Sequence, residues 1–193
     1  APEPDTATML RRSLGEEWSV ELLARDGATI SDMPRLLRHV AGRPAAAFLS
    51  IGGNDATRHI GLLARPAKSA ADVLDELLGI AEDFATRYEA VARAVAERVE
   101  RAVLCTIYEV RLEPPDLARL ARVPLAVLND RIIRTAARHG MEVLELRDVC
   151  TSASDFVLQI EPSAAGAQKI ASAIATVLRR ESAVRTGRIH SVA

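Results

Sequence analysis

Four short apolar segments alternate with amphipathic segments along this chain, and this alternation is the feature that most constrains its fold. The apolar segments are residues 19–25, 46–51, 101–108 and 141–146. Each is nearly continuous in apolar residues, which is typical of strands covered on both faces of a parallel sheet. The chain has 193 residues, of which 49% are apolar, so one domain can build a sizeable core.

Between these segments the apolar residues recur at three- and four-residue steps, the spacing of a helix with one buried face. The clearest helical pattern follows Ser69 and Asp72, which form a capping-box pattern, and continues to Val99. Ser31 is expected to cap a shorter helix, and Pro124 to begin or kink another.

Helical and apolar segments in this order predict a three-layer α/β/α domain with a mainly parallel sheet. We assign the domain to residues 1–180 and a C-terminal tail to residues 181–193. The arginines of the tail are interpreted as part of a frayed, solvated end.

Composition excludes several classes of function. The formal net charge of −1 provides no basic field for nucleic acid, so no nucleic-acid partner is expected. Cys105 and Cys150 are too few for a disulfide framework and are interpreted as buried thiols. No His, Asp and Glu cluster has metal-ligand spacing, and no Gly-rich nucleotide motif occurs, so we expect no metal and no cofactor.

The sequence also bears on location. No apolar run approaches the roughly 18 residues that a membrane-spanning helix needs, so no membrane span is expected. No secretory signal is visible, which favours a cytoplasmic location. The chain begins at Ala1 rather than at a methionine, which leaves open an upstream segment and any targeting signal in it.

Candidate functional residues follow two of the predicted strands, because ligands of open parallel sheets bind beyond the carboxyl ends of the strands. Gly27 follows the first strand, and Gly52, Gly53, Asn54 and Asp55 follow the second. A glycine N–H and an asparagine amide can together stabilise an oxyanion. The same residues can instead be turn glycines and helix caps, and the local pattern leaves both interpretations open.

Three segments, in order, resemble sequence blocks of the SGNH (GDSL-type) hydrolases. Gly53-Asn54-Asp55 resembles the third block, whose Asn side chain donates to the oxyanion hole. Residues 26–29 resemble the second block, whose Gly donates a backbone N–H to the same hole, and residues 161–166 resemble the fifth.

The resemblance implies a flavodoxin-like SGNH architecture and hydrolysis of a small-molecule ester. It implies that Gly27 and Asn54 donate to an oxyanion. Gly53, Asp55 and His59 are expected to contact the substrate. The acyl group, the alcohol group and the oligomeric state are left open.

The first departure from the family pattern concerns the nucleophile. The family opens with a strand that ends in Gly-Asp-Ser, and nothing like it precedes Asp5. That strand normally lies between the strands equivalent to residues 19–25 and 46–51. We therefore expect the nucleophilic serine to be absent from this chain, in preference to a rearranged sheet.

The second departure concerns the base. The family's fifth block carries an Asp and a His before the Pro, and here Leu158 and Glu161 take these positions. Glu161 can act as a general base if burial raises its pKa, or it can be a carboxylate at the helix terminus ahead of Ser163. Both interpretations remain open. Asp155 can orient the base, although a solvated loop position is the favoured interpretation.

Three hypotheses of function follow. The leading one is an acyl-ester hydrolase whose nucleophile lies outside this chain. The second is a catalytically inactive ligand-binding module on the same scaffold. The third, a flavodoxin-like regulatory or interaction domain, explains the alternation of strands and helices but not the three blocks.

Overall fold

A parallel sheet with helices on both faces forms the centre of the computed structural model, which describes residues 5–180 and 189–190, the last two by backbone only. The strands are β1 Ala46–Leu49, β2 Arg101–Cys105, β3 Glu142–Leu144, β4 Phe156–Val157, β5 Glu161–Pro162 and β6 Ile189–His190. The main sheet has the order β1-β2-β3-β6, and all its pairs are parallel. Strands β4 and β5 form a separate antiparallel hairpin.

Seven α-helices connect and cover the strands in the described part of the chain. They are α1 Thr6–Leu14, α2 Met33–Leu36, α3 Gly53–Thr57, α4 Ala70–Ala96, α5 Pro115–His139, α6 Leu146–Val149 and α7 Ala164–Arg179. Short 3₁₀ turns lie at Ile30–Asp32, Leu37–His39, Ile60–Ala64 and Ala153–Asp155. Side chains cap three helices as their residue types predict, because Asp5, Ser69 and Ser163 accept hydrogen bonds from Thr8, Asp72 and Gly166 N–H groups.

The strand residues alternate between two apolar clusters, one on each face of the sheet. Leu49, Leu104 and Val143 belong to the cluster formed with α4 and α5. Val103, Cys105 and Leu144 belong to the cluster formed with α1 and α7. Successive strand side chains point to opposite faces, so continuous apolar strands must be covered on both sides. The predicted three-layer α/β/α class is confirmed.

One predicted strand is wrong, because residues 19–25 form no strand. The segment is largely exposed, and β1 is the terminal strand of the described sheet on the side where this segment lies. A strand requires a partner for its N–H and C=O groups. No strand separates the segment from β1 in the described part of the chain, and the segment itself does not reach β1.

Other boundaries differ in detail from the prediction. Thr29, rather than Ser31, begins the turn before α2, through a capping box with Asp32. Pro124 lies inside α5 and does not begin it. The predicted tail contains a strand, β6, which the sequence pattern did not reveal. Residues 181–188 and 191–193 lie outside the described residues, as does the side chain of His190.

Asn129 of α5 holds the chain where β2 leaves the sheet. Its Oδ1 accepts from the Ile107 N–H at 2.8 Å, and its Nδ2 donates to the Ile107 carbonyl at 2.8 Å. The Asn129 side chain is fully buried. Its two hydrogen bonds satisfy the Ile107 N–H and C=O groups as a neighbouring strand would. This pairing fixes Ile107, whose side chain would lie 3.4 Å from a Cβ on Gly52 and 3.8 Å from a Cβ on Gly53.

We expect Asn129→Leu to lower the free energy of unfolding by about 2–3 kcal/mol, because two buried backbone groups lose their partners. Urea denaturation measures the change. Arg119→Leu, at an exposed position of the same helix, is the matched control and should change stability by less than about 0.5 kcal/mol. Equal stability of Asn129→Leu and the parent would contradict the role given to this residue.

Candidate active site

Asn54 joins the two segments that the sequence proposed as an oxyanion hole. Its Nδ2 donates to the Ala28 carbonyl at 2.9 Å. An amide nitrogen carries two hydrogens, so one remains for another acceptor. Gly27, next to Ala28, is exposed, and its N–H has no hydrogen-bond partner among the described residues. The hydrogen bond between Asn54 and Ala28 therefore brings two neutral donors to one loop region: the Gly27 N–H and the Asn54 side-chain amide.

Gly52 allows the turn from β1 into α3. Its φ is +109°, in the left-handed region. A Cβ there would lie 2.9 Å from the Phe84 ring. Conformation and space therefore both require glycine at this position, and Asn54 follows in the first turn of α3.

Asp55 connects the loop to α4 rather than facing open space. One carboxylate oxygen accepts from the Ile30 N–H at 3.0 Å, and the other accepts from Arg87 Nη1 at 2.8 Å. The Asp55 side chain is 4% exposed. Both oxygens are engaged, so the structure supports a positioning role and gives no support to the predicted substrate contact.

Arg87 is a residue that sequence reasoning missed. It also contacts Asp83 at 2.7 Å, so it bridges one exposed and one buried carboxylate. Hydrogen bonds to Asp83 and Asp55 raise the pKa of Arg87 above its ordinary value. The sequence signal was limited to the four-residue spacing between Asp83 and Arg87 on a helix.

A second polar cluster, also missed from the sequence, lies where β2 and β3 end. Thr106 Oγ1 donates to Glu145 at 2.6 Å and accepts from the Leu146 N–H at 2.8 Å. Arg147 Nε donates to the same carboxylate at 2.7 Å. Burial acts to raise the pKa of Glu145, but the hydrogen bonds from Arg147 and Thr106 outweigh it and lower that pKa. Glu145 is therefore an ionised structural acceptor.

Glu161, the predicted base, lies in β5 and is exposed. A base role for Glu161 was expected to require burial of its carboxylate, and the structure shows no such burial. Its position two residues before Ser163, the N-cap of α7, fits the alternative of a helix-terminus carboxylate. Burial, then the charges of Cys150 and Glu161, raise the pKa of Tyr108 to about 12.

Asp155 is fully buried, so the solvated-loop interpretation is wrong. It accepts from the Ser152 N–H and from Lys169 Nζ, each at 2.8 Å. Burial acts to raise its pKa, but these hydrogen bonds outweigh it and lower the pKa. A Cβ on Gly166 would lie 2.2 Å from the Asp155 carbonyl oxygen. Asp155 thus attaches the turn Ala153–Asp155 to α7.

A cavity of about 1240 Å³ extends along the outer edge of β1 and over the carboxyl ends of β1 and β2. Residues 18–26 form its opposite wall. Of the predicted site residues, Gly53, Asn54, His59 and Glu161 line it. Gly27 lies between two residues that line it, and Asp55 does not line it. The structure therefore brings most of the predicted site to one cavity.

The residues of this site contain no group of three His, Cys, Asp or Glu side chains that could hold a metal ion, and neither does the rest of the described chain. No helix among the described residues combines the length and apolar character needed to cross a membrane.

The fold and cavity define a three-layer α/β/α domain with a cleft beyond the strand ends, and comparison with known proteins identifies the family. The model of the GDSL-like Lipase/Acylhydrolase family matches residues 1–169, and the chain belongs to that family. Membership supports an ester- or acyl-hydrolase kind of function and implies a small-molecule ester substrate. No curated protein matches the chain.

Three solved structures share the fold. LAE5, an alpha/beta hydrolase enzyme from the metagenome of Lake Arreo, Spain, has a TM-score of 0.66 at 20% identity, over 89% of this chain and 80% of its own. An extracellular lipase from Streptomyces rimosus has a TM-score of 0.52 at 16% identity, over 74% and 73%. Phospholipase A1 from Streptomyces albidoflavus NA297 has a TM-score of 0.52 at 17% identity, over 74% and 73%.

We expect Arg87→Met to destabilise the protein by about 2 kcal/mol, because it leaves a buried carboxylate oxygen of Asp55 without its cation. Asp83→Ala removes only the exposed partner of the same guanidinium and should cost less than about 0.5 kcal/mol. Urea denaturation of both variants tests the difference. Similar losses for the two would show that Arg87 does not act through Asp55.

Proposed function

We propose that the protein is an acyl-ester hydrolase in which the Gly27 N–H and the Asn54 amide stabilise the oxyanion. The observation that carries this proposal is the hydrogen bond from Asn54 to the Ala28 carbonyl. It brings the second and third blocks together at the carboxyl end of β1, beside a cavity. Both donors are neutral and held by the backbone or by a short side chain, which suits stabilisation of a developing charge.

The nucleophile in this proposal is a serine on an extended segment that pairs with the open edge of β1. Two features support it. Strand β1 is terminal in the described sheet, so one side of its backbone is available for pairing. The cavity follows that edge from Ala46 to Ser50, with residues 18–26 on its far side. A strand in this position ends beside Gly52 and Asn54.

Two further predicted site residues, Glu161 and His59, lie at the cavity. Glu161 lines the cavity, and its role as the base stays a prediction. His59 also lines the cavity and follows Asn54 by five residues, so its predicted contact with the substrate remains a proposal. Neither residue is buried.

A ligand-binding module without catalysis is the second candidate function. The exposure of Glu161 favours it, because an exposed carboxylate has no burial to raise its pKa toward that of an effective base. It predicts binding in the cavity without turnover.

A fluorophosphonate probe, which reacts with activated serines, separates the two functions. We expect no labelling of the 193-residue chain and stoichiometric labelling of a longer form in which a serine-bearing strand pairs with β1. Labelling of the 193-residue chain would contradict the proposed origin of the nucleophile. Absence of labelling in the longer form would favour the binding module.

In the catalytically competent protein, we expect Asn54→Ala to lower kcat by about 100- to 1000-fold, because one oxyanion donor is lost. Turnover of a short-chain aryl ester measures the effect. Loss of the hydrogen bond to Ala28 should cost about 1 kcal/mol of stability, so the variant remains folded, which a thermal melt checks. Unchanged kcat would refute the role assigned to Asn54.

A further inference from the structure

One end of the cavity has an almost entirely aliphatic wall. This end lies over the carboxyl ends of β1 and β2, where the turn Ile60–Ala64 packs against α5. We call it the aliphatic site, and its lining residues come from that turn, from α4, from the segment after β2 and from α5: Ile60, Leu62, Leu63, Leu77, Ile80, Val110, Leu112, Ala121, Pro124 and Leu125. Most of them are half-buried, so their apolar surface faces the cavity rather than the core.

The segment after β2 shows how this wall is formed. Tyr108, Val110 and Leu112 line the cavity, whereas the residues between them do not. Glu109 pairs with Arg122 at 2.6 Å, outside the cavity. This period of two is that of an extended chain with one apolar face.

Hydrogen bonds to the β4–β5 hairpin hold the segment in this orientation. The Arg111 N–H donates to the Gln159 carbonyl at 2.9 Å, and the Glu113 N–H donates to the Gln159 side chain at 2.8 Å. The Tyr108 hydroxyl donates to the Ile160 carbonyl at 3.1 Å. Val110 and Leu112 therefore remain turned toward the cavity, although neither is fully buried.

The chemistry of the wall discriminates between classes of ester. The ten side chains of the aliphatic site carry no hydrogen-bonding group. A sugar or another polyhydroxylated substrate would lose its hydrogen bonds to water there without replacement. A hydrocarbon chain would instead remove apolar surface from water, on its own side and on the protein side.

The aliphatic site also adjoins the candidate oxyanion donors. The turn Ile60–Ala64 follows α3, which carries Asn54, and the Ile107 side chain would lie 3.8 Å from a Cβ on Gly53. A chain attached to an ester carbonyl at Asn54 therefore has the aliphatic site next to it.

We propose that the aliphatic site binds an unbranched hydrocarbon chain of the substrate, so that the preferred esters are medium- or long-chain rather than acetyl esters of polar alcohols. This inference rests on the proposed function for the identity of the ligand as an ester. The hydrocarbon belongs to either the acyl or the alcohol part, and the experiment distinguishes these two sources.

Isothermal titration of the 193-residue chain with butyrate, octanoate and dodecanoate below their micelle concentrations tests the proposal. A parallel series uses n-butanol, n-octanol and n-decanol. We expect the association constant to rise by roughly fourfold for each buried methylene group. A rise confined to the carboxylates supports an acyl chain, and a rise confined to the alcohols supports an alkyl chain. Affinity independent of chain length in both series overturns the proposal.

Variants locate the binding. Leu112→Gln and Leu62→Gln place an amide in the aliphatic site and should weaken the binding of the longest ligand by about tenfold. Leu120→Gln, at a 43% exposed position of α5 that does not line the cavity, is the matched control and should leave binding unchanged. Circular dichroism checks that each variant is folded.

Leu22→Gln alters the opposite wall, along the edge of β1. If Leu22→Gln weakens binding while Leu112→Gln and Leu62→Gln do not, the chain lies along the β1 edge and the proposal is wrong. The binding test needs no nucleophile. Absence of binding would therefore not contradict ester hydrolysis, and absence of hydrolysis would not contradict hydrocarbon binding.

Discussion

The buried carboxylate of Asp55 is the contact on which the arrangement of the candidate site depends. It accepts the Ile30 N–H from the loop after residues 19–25 and the guanidinium of Arg87 from α4. Next to it in sequence, Asn54 donates to the Ala28 carbonyl of the same loop. Two successive residues thus attach one loop to the end of β1, and the loop's position fixes where the Gly27 N–H lies. A buried carboxylate of this kind is tolerated only because both oxygens have strong donors.

A second constraint comes from the edge of β1. A parallel strand covered on both faces by helices normally has strands on both sides as well, whereas β1 has one only on the β2 side in the described sheet. The helices α1 and α7 on one face, and α4 on the other, continue past that edge to line the cavity. The helical layers therefore extend beyond the β1 edge of the sheet. Residues 18–26 lie on the far side of the cavity at that edge and do not reach β1.

The general fold was predictable because its determinants are local and periodic. Strands β1, β2 and β3 of the main sheet and the long helices each have a pattern that neighbouring residues specify. Asp5, Ser69 and Ser163 cap helices, as is usual for these residue types. Residues 19–25 show the limit of that reasoning. Their apolar character is that of a strand, but a strand exists only through its pairing, and pairing depends on residues far away in sequence.

The candidate site was predictable from the sequence only in part. Asn54 and Gly27 were singled out through the resemblance to the family blocks, because the local pattern alone also fits turn glycines and helix caps. The polar residues around the site were not recognisable, because Arg87, Thr106 and Asn129 act through contacts 22 to 39 residues away in sequence. The contacts of Asp55 with Ile30 and Arg87 were not recognisable for the same reason. A carboxylate beside a candidate site has the same sequence signature whether it faces the substrate or the interior.

The buried carboxylates of the described chain share one property that bears on the chemistry of the site. Asp55 is paired with Arg87, Glu145 with Arg147, and Asp155 with Lys169. Each of these three buried negative charges is thus compensated by a neighbouring cation, so together they add little net negative potential. The two donors of the proposed oxyanion site, the Gly27 N–H and the Asn54 amide, are neutral. Neutral donors strengthen their hydrogen bonds as charge develops on a carbonyl oxygen, and they hold a released carboxylate less tightly than a fixed cation would. In the proposed function, the ion pairs therefore keep the buried carboxylates from opposing the developing charge, and the neutral donors respond to that charge.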